Sequence, residues 1–243
     1  MIVDLSVPVV NGMPVYPGDP EVEIAPALTV AAEGVNVLGL HLGSQSGTHV
    51  DAPFHIDDAL PTLDDLPLER FLGPAAVLDV RGLPPRSPVT AGMLETVAGR
   101  LRPGTVLLVA TGWDEHWGTP EYLAHPYLAA ETARLIAAAG VRTVGIDALS
   151  VDPTSRPAGD DAAGASATGA AGAIGAAGEP GGDLPAHRAL CGAHAVIAEN
   201  LRNLDPLLEA QAAGRPIEVS LFPLRLAGAD GAPVRAVARI GGV

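Results

Sequence analysis

The sequence predicts a single α/β domain, residues 1–243, built on a mixed and strongly curved sheet. Three observations predict this class. A strand, a helix and a second strand follow one another in mid-chain, which favours a parallel βαβ unit. Gly and Pro divide the first third into short extended segments, and apolar runs return near the C-terminus. With 243 residues, 48% of them hydrophobic, the chain can bury one sizeable core.

The first third predicts strands and turns rather than helices. Residues 2–5 resemble the start of a strand, and residues 15–20 are rich in turn formers. Residues 35–42 are apolar enough for a mostly buried strand. His41 lies inside this run, and we interpret it as a hydrogen-bonded histidine of the core or its rim.

The middle of the chain carries the pattern of a parallel sheet. Short apolar runs bounded by Gly and Pro predict buried strands, and the longer segments between them predict helices. Gly140 marks the end of the second helix. The predicted strands are 75–80, 105–110 and 141–146, and the predicted helices are 90–101 and 129–139.

The last third begins with a segment of unusual composition. Residues 158–182 are almost entirely Ala and Gly, and they offer little bulky apolar surface, so they predict a flexible insertion in the domain. Residues 195–198 predict a strand that delivers Glu199. Residues 217–222 and 234–240 predict two strands joined by a turn at Asp230-Gly231, a strong hairpin signal.

Charge and cysteine content exclude several classes of function. The formal net charge of −14 disfavours nucleic acid and anionic membranes as partners, since both require basic patches. Cys191 is the only cysteine, and we interpret it as a small buried hydrophobe in a reducing cytoplasm. We expect a cytoplasmic protein, because the N-terminus lacks a signal-peptide pattern and no apolar run reaches the length of a membrane helix.

Residues 45–55 contain the strongest candidates for metal ligands in the sequence. His49, Asp51 and His55 lie within seven positions, framed by Gly47 and Pro53. Imidazole and carboxylate are ligands that Zn²⁺ or Mn²⁺ accepts. In an extended segment His49 and Asp51 share a face, and a bend at Pro53 brings His55 back toward them. The run therefore predicts a metal site, and a metal site in such a chain indicates hydrolysis.

This run resembles the signature of the cyclase-like metal-dependent hydrolases, the family of bacterial kynurenine formamidase and isatin hydrolase. That signature reads approximately His-x-Gly-Thr-His-x-Asp-x-Pro-x-His, and the chain matches it from Gly47 to His55. One departure is Gln45, where the family has its first histidine. The resemblance continues, in the family's order, at Thr111-Gly112-Trp113, His125-Pro126-Tyr127, Gly145-Ile146-Asp147 with Ser150, His187-Arg188 and Glu199-Asn200-Leu201.

The resemblance implies a barrel-like sheet flanked by helices, in a homodimer or homotetramer. It implies one or two divalent ions per chain, Zn²⁺ or Mn²⁺. The ligands it implies are His49, Asp51, His187 and Glu199. Gln45 is either a further ligand through its carbonyl oxygen or a holder of water or a substrate carbonyl, and its presence favours a single metal.

The remaining roles concern protons and the substrate. His55 is the best proton carrier, because its ordinary pKa near 6.5 suits transfer at neutral pH, although a ligand role stays open. Phe54, Trp113 and His125 are candidates for contact with a small planar substrate. We expect a metal-activated water to cleave a non-peptide C–N bond in an aryl formamide or cyclic amide. The alternatives are a hydrolase of lactones or other cyclic esters and a non-catalytic relative that binds a ligand or metal.

Overall fold

The computed structural model describes residues 1–154 and 183–241. Within them a nine-stranded mixed sheet curls into a half-barrel flanked by helices, which confirms the predicted α/β class. The strands are β1 (Ile2–Asp4), β2 (Glu23–Leu28), β3 (Val37–His41), β4 (His49–Asp51), β5 (Leu72–Asp79), β6 (Pro88–Val89), β7 (Val106–Ala110), β8 (Tyr127–Leu128), β9 (Thr143–Ile146), β10 (Val196–Glu199), β11 (Ile217–Ser220), β12 (Gly231–Pro233) and β13 (Val237–Ile240). The α-helices are α1 (Val30–Glu33), α2 (Ala130–Ala138), α3 (Pro185–Cys191) and α4 (Asp205–Ala212).

The strand order places a parallel centre between antiparallel edges. The order is β1-β13-β11-β5-β7-β9-β10-β4-β12. The pairs β5–β7, β7–β9 and β9–β10 are parallel, and every other pair in this sheet is antiparallel. Helix α2 connects β7 to β9, as the strand–helix–strand pattern predicts. Parallel strands are covered on both faces, and all five residues of β7 are accordingly buried.

Two hydrophobic cores lie on the two faces of the sheet. One packs side chains such as Leu107 and Ile146 with Ile136 of α2. The other packs Leu108 and Val219 with Leu207 of α4. The alternation of adjacent β7 residues between the cores follows from the two-residue period of a strand.

Most of the predicted mid-chain elements are confirmed, and one is wrong. The helix predicted at 129–139 is α2, and Gly140 after it has a φ of +83°, a conformation that a glycine adopts without strain. The segment 90–101 forms two short 3-10 helices, Ala91–Thr96 and Ala98–Arg100, instead of one α-helix. Gly92 and Gly99 lower its intrinsic helix stability, which explains the break.

The strand predicted at 35–42 exists but is not buried. It is β3, and among residues 1–154 and 183–241 its one pairing partner is β2, with which it forms a two-stranded sheet separate from the main one. All five of its residues are exposed, so the expectation that His41 belongs to the core or its rim is also wrong. An apolar run identifies a strand but not what covers it.

The predicted tight turn at Asp230-Gly231 is also corrected. Strands β11 and β13 pair in antiparallel fashion as expected, but Gly231 begins a separate strand, β12, which pairs with β4. Asp230 is therefore a residue of the site described below. The flexible insertion predicted at 158–182 lies outside the described residues and stays a prediction. Among the described helices none has the length and apolar character to cross a membrane.

Candidate metal centre and adjoining cleft

One face of β4 and β10 carries three ligand-type side chains. His49 begins β4 and Asp51 ends it, so the two share a face because side chains alternate along a strand. Glu199 ends β10 and pairs in register with His49, which brings its carboxylate to that face. All three side chains are buried, and their ligand atoms lie within 4.8 Å of one another.

His187 reaches the same cluster from α3. Its Nε2 atom lies 3.6 Å from Asp51 Oδ2 and 3.5 Å from Glu199 Oε1. On the other side, His49 Nε2 lies 3.4 Å from Asp51 Oδ1 and 3.7 Å from Glu199 Oε2. The structure therefore brings together the four residues that the family resemblance implies as ligands, with two carboxylates between two imidazoles.

The imidazoles of His49 and His187 each form a hydrogen bond through Nδ1, the ring nitrogen that does not face the carboxylates. His49 Nδ1 donates to the Gly47 carbonyl at 2.8 Å, and His187 Nδ1 donates to Asp152 Oδ2 at 2.7 Å. Because these oxygens can only accept, each Nδ1 carries a proton and each Nε2 faces the carboxylates. The Asp152 carboxylate also accepts the backbone N–H groups of Ala186 and His187, so it caps α3 and orients its histidine at once.

The cluster fits a divalent cation. Both carboxylate oxygens of Asp51 are buried without a hydrogen-bond partner among the described residues. A buried carboxylate is costly unless it is paired or bound to a metal. Ligand bonds of about 2.0–2.2 Å place neighbouring ligand atoms roughly 3–3.6 Å apart, close to the spacings of His49 and His187 from the carboxylates. Nitrogen and oxygen donors without thiolate suit Zn²⁺ or Mn²⁺.

The pKa values of the clustered side chains indicate that the site is strongly negative. Burial disfavours the imidazolium of His49, but Asp51 and Glu199 outweigh burial and raise its pKa to about 9. Burial also opposes protonation of His187, but its hydrogen bond to Asp152 and the nearby carboxylates of Asp51 and Glu199 raise its pKa to about 10. Burial would raise the pKa of Asp51, but the two histidines hold it well below its usual range. Without a metal, the carboxylates thus draw protons onto the imidazoles.

Gln45 and His55 converge on Asp230, beside the cluster. Gln45 Nε2 donates to Asp230 Oδ2 at 2.7 Å, and the Ser44 hydroxyl donates to the same oxygen at 3.1 Å. His55 Nδ1 lies 3.3 Å from that oxygen and 3.1 Å from Gln45 Nε2. The rings of His55 and His187 are 5.8 Å apart between centroids. The amide nitrogen of Gln45 is thus directed at a carboxylate, a partner unlike a metal ion.

A cleft opens over these groups. His55, Gln45 and the four clustered side chains line it, together with Tyr16 and Asp19 of the N-terminal turn segment. Burial raises the pKa of the Tyr16 phenol, with smaller contributions from the charges of Glu199 and Asp152. The phenol is therefore a hydrogen-bond donor at neutral pH.

The three residues predicted to contact substrate lie elsewhere. Trp113 is buried in the core around α2, and its indole N–H donates to the Glu121 carbonyl. His125 is buried between the Pro126 carbonyl and the Thr154 hydroxyl. Phe54 is partly buried, and neither it nor the other two is among the described residues that line the cleft. Packing and internal hydrogen bonds account for the positions of Trp113 and His125.

Sequence reasoning missed four residues of the site. Asp230 was hidden by its Gly neighbour, because Asp-Gly is ordinary turn chemistry. Tyr16 and Asp19 were hidden in the same way by the Pro and Gly around them. Asp152 offered a usable signal, since it follows the carboxyl end of the parallel strand β9, where functional side chains gather.

The chain is similar to known proteins over nearly its whole length. Residues 3–153 match the family model named Cyclase. The chain is 32% identical over 243 residues to the kynurenine formamidase of Salinibacter ruber, covering 98% of this chain and 97% of that one.

Solved structures share the fold. An isatin hydrolase bound to the product analogue thioisatinate superimposes with a TM-score of 0.78 at 20% identity, covering 98% of this chain and 91% of that one. A predicted metal-dependent hydrolase from Bacillus stearothermophilus superimposes with a TM-score of 0.70 at 23% identity, covering 98% and 97%.

Proposed function

Because the chain belongs to the Cyclase family, we propose that it is a metal-dependent hydrolase of non-peptide C–N bonds, in an aryl formamide or a cyclic amide. The observation that carries the proposal is the buried cluster in which Asp51 offers two unpartnered oxygens between His49 and His187. The names of a kynurenine formamidase and an isatin hydrolase among the similar proteins supply the substrate class.

The metal ligands in this proposal are His49, Asp51, His187 and Glu199, around one Zn²⁺ or Mn²⁺ ion. These residues would hold the ion, which would supply polarisation of a carbonyl and a lowered pKa of bound water. The Nδ1 bonds of both histidines keep each Nε2 directed at the carboxylates, so the site is arranged before the ion arrives.

Proton transfer falls to His55, which lines the cleft next to the cluster. Hydrolysis forms a bond between a water oxygen and the carbonyl carbon and breaks the C–N bond. His55 Nε2 takes the proton from water and passes it to the departing nitrogen, which leaves as a neutral amine. The Tyr16 phenol lies in the cleft wall and orients the substrate as a hydrogen-bond donor.

Metal removal combined with a substrate screen tests the proposal. The purified protein is stripped with a chelator, reloaded with Zn²⁺ or Mn²⁺, and assayed with the formamide of kynurenine, an N-formyl aromatic amine, a lactam and a lactone. We expect about one metal per chain and hydrolysis of a formamide or lactam that disappears on stripping and returns on reloading. Asp51→Asn is the matched variant and loses both metal and activity.

Three results would contradict the proposal. Absence of metal uptake under every loading condition would show that the cluster is not a metal centre. Hydrolysis of the lactone alone would show that the substrate is a cyclic ester and not an amide. Full metal loading without turnover of any substrate would identify a binding protein.

A further inference from the structure

Asp230 is the hub of a hydrogen-bond network behind His55. A single carboxylate oxygen, Oδ2, meets Gln45 Nε2 at 2.7 Å, Ser44 Oγ at 3.1 Å and His55 Nδ1 at 3.3 Å. The Asp230 side chain is 35% exposed and does not line the cleft formed by the described residues. Its contacts reach the cleft only through other side chains.

The network fixes the orientation of both neighbours. The short contact to Asp230 requires the nitrogen of the Gln45 amide at that position, because two oxygens would repel one another. An amide nitrogen can only donate, so Gln45 Nε2 could bond to His55 Nδ1 at 3.1 Å only in the tautomer that leaves Nδ1 bare. The Asp230 carboxylate faces the same ring nitrogen and favours the opposite tautomer, because its negative charge attracts a proton on Nδ1. The carboxylate is the acceptor available to the Nδ1 proton among these groups. Its bond to His55 lowers the pKa of Asp230 to about 2, against burial, so Asp230 stays ionised at neutral pH.

We propose that Asp230 is a positioning residue that holds His55 with its proton on Nδ1 and leaves Nε2 unprotonated and able to accept a proton. This inference rests on the proposed function, in which His55 moves protons. It also gives Gln45 a role of its own, because its amide keeps the Asp230 carboxylate in place rather than binding the metal.

The arrangement follows a general rule of acid–base catalysis. A neutral imidazole has two tautomers, and only the one with a bare nitrogen facing the substrate can act as a base. A carboxylate behind the ring selects that tautomer and stabilises the imidazolium that forms during transfer. Asp152 accepts from Nδ1 of His187 in the same way, and His187 Nε2 faces the carboxylates of Asp51 and Glu199.

Kinetics of the zinc-loaded enzyme test the positioning role. We expect Asp230→Asn to keep its zinc and to lower kcat by about 10- to 100-fold, the range typical of a lost partner of a functional histidine. KM should change little, because the ground-state contacts of the substrate are intact. Asp230→Glu should restore part of kcat. Asp58→Asn is the matched control, since it neutralises an exposed carboxylate in the loop after His55 and should leave kcat unchanged.

A double variant separates positioning from general damage. His55→Ala alone should lower activity by roughly 100-fold or more with near-normal zinc content. Adding Asp230→Asn to it should then cost nothing further, because the residue acts through His55. A full additional loss in that background, or wild-type kcat in Asp230→Asn, would overturn the inference.

NMR gives a readout that does not depend on turnover. Nitrogen-15 shifts of labelled histidines, with His55 assigned from the spectrum of His55→Gln, distinguish a protonated from a bare ring nitrogen. We expect Nδ1 protonated and Nε2 bare in the zinc-loaded wild type and a mixture in Asp230→Asn. The opposite tautomer in the wild type would refute the positioning role. If no substrate turned over, the proposed function would fail, and the spectra would still decide the tautomer.

Discussion

At the scale of single residues, Gln45 is the position that distinguishes this chain from its family pattern. The signature has histidine there, whereas Gln45 directs its amide nitrogen at Asp230. Its amide oxygen is buried without a partner among the described residues, so the side chain is not fully satisfied. Substitution of Gln45 by histidine therefore tests whether position 45 faces the metal.

We expect Gln45→His to raise the affinity for metal or the number of ions per chain, because imidazole is the stronger donor to these metals. Elemental analysis and calorimetric titration of the stripped protein measure both quantities. Gln45→Leu removes the polar group without adding a ligand and serves as the control. An unchanged count and affinity in Gln45→His would show that position 45 does not face the metal.

His125 makes a second residue-scale prediction, on pH and stability. Burial lowers its pKa from 6.5 to about 4, so the folded chain keeps it neutral in a range where the unfolded chain protonates it. Stability is therefore present above pH 6.5 and is lost as pH falls toward 4. Between pH 7 and pH 5 this group alone should reduce the free energy of unfolding by about 2 kcal/mol.

The measurement is urea unfolding of the wild type and His125→Asn at both pH values. Contributions of all other groups are common to both proteins, so the difference in their pH dependence isolates His125. We expect the variant to be less stable at pH 7 and to lose about 2 kcal/mol less than the wild type on acidification. Identical pH dependence would show that His125 protonates in the folded state as easily as in the unfolded one.

At the scale of secondary-structure elements, the sequence pattern predicted those helices and strands whose formation depends on neighbouring residues. Gly140 and the apolar face before it were enough to find α2, and continuous apolar runs were enough to find β5, β7 and β9. His49 and Asp51 were predicted as ligands from residue type and spacing, whereas His187 and Glu199 were implied by the resemblance to the family. The exposure of β3 and the role of Asp230 were not predicted, because both depend on which distant segments meet. Strand β12 pairs with β4 across some 180 residues, and no short-range pattern records that contact.

The close approach of β12 to β4 depends on the absence of a side chain at Gly231. A Cβ atom there would lie 2.6 Å from the Val50 carbonyl oxygen and 2.7 Å from Gln45 Nε2. Backbone must move to accept it, so we expect Gly231→Ala to lower the free energy of unfolding by about 1–3 kcal/mol. Denaturant unfolding measures this. Gly99→Ala, with nothing within 4 Å of the added atom, should be neutral or stabilising by up to about 1 kcal/mol. Equal effects of the two substitutions would contradict the argument.

At the scale of the whole molecule, the β2–β3 hairpin exposes apolar side chains that no other described segment covers. Leu38 and Leu40 lie on one face of β3 and are 60% and 63% exposed. Leu28 and Val37 add to the exposed apolar area. Large exposed apolar patches are typical of sites that contact another protein, and the family resemblance implies a homodimer or homotetramer. We therefore propose that the hairpin packs against a second copy of the chain.

Analytical ultracentrifugation tests the assembly. We expect the wild type to sediment at two or four times the chain mass of 24.5 kDa. The double variant Leu38→Ser/Leu40→Ser should shift toward the monomer, since it removes apolar area that only association would bury. Leu135→Ser, an exposed leucine on α2, is the control and should not shift. A monomeric wild type, or a double variant that assembles normally, would argue against the hairpin as interface.

Asp152 both caps α3 and orients His187, and this limits how the chain can change over evolutionary time. One carboxylate joins the end of the segment after β9 to the start of α3, so the two sides of residues 155–182 are pinned to each other at His187. The position of His187 beside Asp51 and Glu199 therefore depends on this one carboxylate. A substitution at Asp152 would release the helix and the histidine together, so we expect this position to tolerate little change.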